Sequence, residues 1–484
     1  MRSPAGATPI RPLHPGRPER IGRTARTDLA GLAGFAPLGD GPLGRAGRAA
    51  RLGLLATLAT LPALAAASAT TLATLPALAA ASATTLPRAA PGSAAAPAPP
   101  AVPIGCCSLA GTTTRLELDG FVQVYGAYFH EQSLNDNGAL LAFDHALDLR
   151  ATPGRQFTAT ARTTRLGLSA ITPTASLGDV LARIEIDFAD GKGFGGKPHL
   201  RHAYLGFGNW IAGHTWSVWT DPDAAGETVD NCGAVGQACF DTGRYTQLRY
   251  TVPMGHGSRL AVSVEKNVTT HGVFPDQSLT RPASPAGTIP DGRYPSLVAA
   301  YTMDGDWGHL SLRGLEQHYG AYTPGTAATD QLRTSRWAGA WQMSGALNVG
   351  NDKLVASYYT GQALGPYGIG WQAVQYDQQA GQVQLSRNSG WQAGYTRNWS
   401  PRFRSNLVAG GVYFKNDSTG PASIKNAHSY FVNTFAKLAP NLEAGLEYGY
   451  EDLQTFGQAV TRRDSSMTDR NHNNKVQISL TAKF

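Results

Sequence analysis

This sequence predicts an all-β protein: a transmembrane antiparallel β-barrel of about sixteen strands, preceded by a signal peptide and a disordered linker. Three observations predict it. From Arg115 to the C-terminus the apolar residues recur with period two. Short and long connections alternate along the chain. The composition, with 56 Gly, 9% aromatic and only 15% charged residues, suits strands and turns better than helices.

The period is clearest in the last segment. Val476, Ile478, Leu480, Ala482 and Phe484 fall on one face, and Gln477, Ser479, Thr481 and Lys483 on the other. Val180, Ile184, Ile186 and Phe188 alternate with Arg183, Glu185 and Asp187. Leu442, Ala444, Leu446, Tyr448 and Tyr450 alternate with Glu443, Gly445, Glu447 and Gly449. Alternation alone fits either a soluble sandwich, apolar face inward, or a membrane barrel, apolar face toward lipid.

Connection lengths separate the two. Strands are expected near 115–129, 157–171, 180–188, 199–207, 210–219, 244–252, 258–266, 295–303, 307–318, 335–348, 353–360, 390–399, 402–415, 427–438, 441–450 and 474–484. Between them stand tight turns such as Gly208-Asn209, Asp304-Gly305-Asp306, Gly350-Asn351-Asp352 and Ala439-Pro440-Asn441. Long connections at 130–156, 220–243, 267–294, 361–389 and 451–473 lie between the tight ones. A meander with turns at one end and loops at the other is the outer-membrane barrel pattern. All nine Trp fall between Trp210 and Trp399, with Trp341, Trp391 and Trp399 expected at strand ends, as interface girdles require.

Upstream of the barrel the character changes. Residues 1–44 are rich in Arg, Pro and Gly and read as a disordered or mis-started extension. Residues 45–84 read as a signal peptide: Arg45, Arg48 and Arg51 precede an uncharged apolar run with small-residue cleavage sites. That run holds a tandem duplication, 57–70 repeated at 71–84, which marks recent slippage rather than a solenoid. Residues 85–111 form a Pro/Ala linker, and 112–484 the barrel domain. The net charge of +7 belongs wholly to residues 1–111, which carry ten Arg, no Lys and three acids. The barrel is neutral overall, so the basic pI is no sign of a nucleic-acid partner. Four Cys exclude a disulfide framework.

Several stretches together resemble the DcaP-like porins of Gram-negative bacteria. They are Arg162-Thr163-Thr164-Arg165-Leu166-Gly167-Leu168, Leu200-Arg201-His202-Ala203-Tyr204, Ala212-Gly213-His214-Thr215-Trp216-Ser217 and Gln247-Leu248-Arg249-Tyr250-Thr251-Val252-Pro253. Gly350-Asn351-Asp352-Lys353-Leu354 and Leu442-Glu443-Ala444-Gly445-Leu446-Glu447-Tyr448 follow in order, so the resemblance covers roughly 115–484. It implies a homotrimeric, sixteen-stranded channel of the outer membrane that favours small anionic solutes such as dicarboxylates. Members can carry a helical coiled coil before the barrel. Here that place holds the Pro/Ala linker, so the barrel wall is expected to make the trimer contact.

Selectivity in a channel comes from charge at a constriction, where low-dielectric walls focus the field. Strand parity points Arg165, Arg183 and Arg249 into the lumen, together with the acidic wall residues Glu185 and Asp187. Arg201 is expected inward although its strand leaves the faces ambiguous, and Arg293 is expected at the lumen rim. The planar guanidinium suits carboxylates. The alternative is that these charges form a wall ladder, pairing across strands. Cys232 and Cys239 are spaced to close a small disulfide loop within 220–243, an acidic connection expected to fold into the lumen. No metal or other cofactor and no catalytic residue is indicated, since no nucleophile motif accompanies His130, His199 or His202. The remaining alternatives are a general-diffusion or phosphate-type porin, then a barrel enzyme or adhesin. Expected partners are outer-membrane lipid and, through the terminal Phe484, the barrel-assembly machinery.

Overall fold

A computed structural model describes residues 104–108, 111–131, 147–190, 196–229, 233–234, 243–267, 289–290, 292–323, 332–362, 364, 367, 374–377, 382–415 and 424–484. Sixteen strands form one closed antiparallel barrel. The first eight are β1 (Arg115–Phe129), β2 (Gln156–Thr160 continued by Arg165–Thr174), β3 (Gly178–Asp190), β4 (Lys197–Phe207), β5 (Trp210–Trp216), β6 (Arg244–Gly255), β7 (Ser258–Glu265) and β8 (Ser296–Gly305). The rest are β9 (Gly308–Thr323), β10 (Leu332–Val349), β11 (Asp352–Gln362), β12 (Arg387–Ser400), β13 (Phe403–Phe414), β14 (Ile424–Ala439), β15 (Leu442–Thr455) and β16 (Arg470–Lys483). Each expected strand is present.

Every strand pairs with its neighbour in sequence, and β16 returns to β1 through Phe121↔Lys483 to Phe129↔Lys475. Closure leaves no open edge in lipid, where an unpaired backbone amide costs several kcal/mol. At the seam Phe484 exchanges two backbone hydrogen bonds with Gly120, at 3.1 and 3.2 Å. Gly120 is required there, because a Cβ would collide with the Arg165 carbonyl. The end of the segment expected as linker, Ile104–Ser108, forms a strand against the start of β1. The extension, the signal-like run and the rest of the linker, Gly111 apart, lie outside the described residues.

The outward face carries the apolar set of the alternation. Val122, Leu168, Ile184, Leu205, Leu248, Val262, Leu312, Leu446 and Ile478 are each 46–61% exposed. In a membrane that exposure is burial in hydrocarbon. Trp210, Trp307 and Trp399 lie at the short-turn end, on or beside strand termini. Trp341 departs from its expected place: it stands midway along β10, on the exterior. No helix among the described residues is long and apolar enough to cross a membrane; the crossing is made by strands.

Three local departures matter for the lumen. The second strand is interrupted at residues 161–164, where Thr163 donates to Gln123 Oε1 at 2.8 Å and the Arg162 carbonyl accepts from Phe188 N–H. The expected continuous strand 157–171 is therefore two pieces. In β4 a bulge at Arg201 shifts the register, from Glu185↔His202 to Ile186↔Leu200. An extra residue in one strand lets two consecutive side chains share a face, which is why parity left Arg201 ambiguous. Finally, Val298, Ala300, Leu315 and Tyr359 are apolar and face inward, against the rule of a polar lumen. They are covered by Val218 and Trp219 from the connection after β5, and by Leu364 and Tyr367 from the connection after β11. These side chains make a dry core inside the pore.

Candidate functional site

The connection that follows β5 leaves the wall after only seven strand residues and crosses the interior. Each step along it is fastened to the far wall. Arg313 on β9 donates to the carbonyls of Val218 (2.6 Å) and Thr220 (2.8 Å) and pairs with Asp221 at 3.0 Å. Asp221 also meets His309 at 3.0 Å and Ser344 of β10 at 2.5 Å. Lys353 of β11 donates to the Asp223 carbonyl at 3.0 Å. Gln392 of β12 accepts from Gly226 N–H and donates to the Ala224 carbonyl. Glu227 takes Arg404 of β13 at 2.5 Å and Asn406 at 2.9 Å. Val229 N–H donates to Glu447 of β15 at 2.8 Å, and Ala234 packs on Phe129 of β1.

At the root of this loop Glu265 of β7 is a hub. It accepts from Ser217 Oγ (3.0 Å), Ser263 Oγ (2.7 Å), Val218 N–H (3.1 Å) and Tyr367 Oη (3.0 Å). One carboxylate thus ties two inward connections to the wall. A fully satisfied buried network rigidifies what it joins.

Two carboxylates of the loop behave oppositely. Burial alone would raise the Asp221 carboxyl, but Arg313, His309 and Ser344 outweigh it and hold it well below the usual carboxylate range. Burial pushes Asp223 above that range, and the nearby Asp221 charge pushes it further. The Asp223 carboxylate makes no hydrogen bond or ion pair among the described residues.

With the loop lying along β9–β15 and touching β1, the described part of the opposite wall, β2–β6, is left to line the passage. It is there that the expected charges gather. Arg183 holds Asp119 at 2.6 Å, Ser169 at 3.0 Å and Glu185 at 2.9 Å. Arg201 pairs with Asp187 at 2.6 Å and Glu185 at 3.2 Å, and His199 meets Asp187 at 2.9 Å. Arg165 stands 3.9 Å from Glu185, with its guanidinium over the Phe121 ring. Three arginines and three carboxylates therefore make a ladder, and Arg183 and Arg201 are largely spent in it. His202 is taken up by Thr215 at 2.9 Å, a wall contact.

Arg249, one strand beyond β5, differs. It is half-buried in the interior, and its Nε and Nη2 are buried with no hydrogen-bond partner among the described residues. A buried guanidinium with unmet N–H groups is costly unless something arrives to accept them. Arg293 lies exposed in the segment before β8, apart from this group. Cys232, Cys239 and the acids Asp230 and Asp241 lie outside the described residues. Sequence parity missed Asp119, which lies across the β1–β2 seam, and the cations of β9 and β13 that grip the loop. Only the inward parity of Arg313 and Arg404 on their strands signalled them.

The ladder itself predicts a stability effect. Replacing Arg201 with Ala leaves Asp187 buried without its guanidinium. The expected cost is about 3–5 kcal/mol of barrel stability, read as a fall in urea midpoint after refolding in detergent.

A closed sixteen-strand barrel with a loop folded across its lumen is an outer-membrane porin, and a channel through the outer membrane of a Gram-negative bacterium is what it forms. The chain belongs to the DcaP outer membrane protein family, whose model matches residues 107–466. Its fold is similar to that of the outer membrane channel DcaP of Acinetobacter baumannii, with a TM-score of 0.62 and 24% identity over 77% of this chain and 97% of that one. Weaker likeness extends to OmpT of Vibrio cholerae (TM-score 0.48, 11% identity, 78% of this chain and 99% of that one). An anion-selective porin from Comamonas acidovorans shows a TM-score of 0.46 and 12% identity, over 77% of this chain and 100% of that one. A comparison with curated proteins finds no match.

Proposed function

We propose that the channel passes small hydrophilic solutes by diffusion and prefers small anions, dicarboxylates among them. The observation that supports this is Arg249: a lumen guanidinium with two N–H atoms unmet among the described residues, beside a wall where Arg183 and Arg201 are already held by carboxylates. A fork of free donors in a narrowed, low-dielectric passage attracts carboxylates and repels cations. Asp221 and Glu227 do not cancel it, because they are turned to Arg313 and Arg404 on the far wall; Asp223, which makes no ion pair among the described residues, subtracts from it. Phosphate is the weaker reading, since Lys is sparse along β2–β6.

The same reading has the channel assemble as a homotrimer through its outer wall, and enter the membrane through recognition of the strand that ends in Phe484. It involves no catalysis and no cofactor. The test is the reversal potential of the purified channel in a planar bilayer under a KCl gradient, followed by added succinate. A potential of the anion-selective sign and current block by succinate are expected, with closures in steps of three. A reversal potential of zero would favour general diffusion.

A further inference from the structure

The outer wall carries a groove of about 760 Å³ that the channel function leaves unused. It crosses the strands obliquely, from Arg387 and Lys415 at the loop end of β12 and β13 to Val262 and Ala299 on β7 and β8. It is a shallow groove, open along its length on the outer face. Register places Val262, Ala299, Gly314, Trp341 and Thr360 in one outward row across five strands.

Two glycines open the floor, and the barrel itself does not need them. A Cβ at Gly314 would meet nothing within 4 Å, and one at Gly339 would press only on the flexible Glu316 carboxylate, at 2.9 Å, with the Leu315 carbonyl at an ordinary 3.9 Å. Neither has a positive φ. The room they leave faces the bilayer.

Polarity along the groove is ordered. Two exposed cations mark the loop end, the end that in such barrels faces the outer leaflet's headgroups. The apolar stretch runs from them toward the middle of the wall. Glu316 lies between, exposed on the outer face, and makes no hydrogen bond or ion pair among the described residues. A bare carboxylate facing hydrocarbon is unfavourable; an occupant that brings a hydroxyl or amide donor to that depth relieves it.

We propose that this groove holds a phosphorylated, hydroxyacylated lipid of the outer leaflet. Its phosphate sits on Arg387 and Lys415, an acyl chain lies over Gly314 and Gly339 beside Trp341, and an acyl hydroxyl or amide donates to Glu316. Charge complementarity at one end and apolar match at the other select this occupant over a second copy of the chain. Charge-assisted phosphate contacts and buried acyl carbons together make such binding outlast detergent extraction.

The experiment is native mass spectrometry of the full chain extracted in mild detergent, with its retained lipid identified after extraction. Wild type is expected to retain a hydroxyacylated phospho-lipid, and R387A/K415A and G339L to retain roughly tenfold less. E316A is expected to keep lipid but lose the preference for hydroxyacyl chains. R402A, at an exposed turn on the opposite rim, is expected to behave as wild type. Retention in R387A/K415A equal to wild type would overturn the proposal, as would wild type carrying no such lipid. So would disulfide cross-linking of neighbouring protomers through G339C, which would show a second copy in the groove.

Discussion

Replacing Arg249 with Ala is expected to reduce the anion-to-cation permeability ratio about fivefold, and replacing it with Glu to reverse the preference. The size follows from one unit charge acting on passing ions some 5 Å away in a wet, salt-screened lumen, worth about 0.5 kcal/mol of opposite sign for anion and cation and so about 1 kcal/mol in their ratio. The argument for this residue over its neighbours is accounting of partners. Arg183 and Arg201 already hold carboxylates at 2.6 Å, so a passing anion competes with a fixed one. Arg249 has two N–H atoms that nothing among the described residues accepts. Arg183→Ala is therefore expected to disturb folding more than selectivity, whereas Arg249→Ala does the reverse. The measurement is the reversal potential of each variant under one salt gradient, beside its thermal unfolding. An unchanged ratio in Arg249→Glu would assign selectivity elsewhere.

How far the sequence foretold this site depends on which rule governs each residue. Parity is a local rule, so the inward placing of Arg165, Arg183 and Arg249 was legible from the apolar residues beside them. The rule breaks where the backbone does. The bulge at Arg201 is invisible in a run such as Leu200–Tyr204, because both faces carry apolar residues and a one-residue slip exchanges them. Val298 and Ala300 broke the rule for another reason. Strand β8 is apolar on both faces, as a strand is when covered on both sides, and its inner cover is a pair of connections distant in sequence. The pairing of Arg183 with Asp119 was equally out of reach, since those residues lie on β3 and β1 and meet only across β2. The strand count succeeded because each turn carries its own chemistry. Gly350, for instance, sits at φ +62° in the turn between β10 and β11, where a residue without Cβ is favoured.

Asp221 and Glu227 set the width of the passage, and their joint replacement by Asn and Gln is expected to raise single-channel conductance by roughly half or more. Each carboxylate contributes charge-assisted bonds worth about 1.5–3 kcal/mol, and together they fix the loop to β9, β10 and β13. Amides of the same shape keep the packing and remove the ion pairs with Arg313 and Arg404, so the loop is freed while the barrel remains folded. Acid separates charge from loop anchoring in two stages, and only the second matches the double variant. Asp223, raised by burial and by Asp221, takes its proton before Asp221 does as pH falls. A raised carboxyl favours the folded state below its unfolded pKa and loses that contribution as pH rises through its folded value. Mild acid therefore removes a lumen charge without loosening the loop, and anion preference should rise at constant conductance. Asp221 is depressed, so its stabilising contribution is complete above the unfolded pKa and is lost only as pH falls through the folded value, below the ordinary carboxylate range. Conductance should widen or flicker only there. Asp223→Asn is expected to abolish the first stage and leave the second. A single stage in which selectivity and conductance change together would show that the two carboxylates do not act separately, and that the loop is held by something other than the Asp221 cluster.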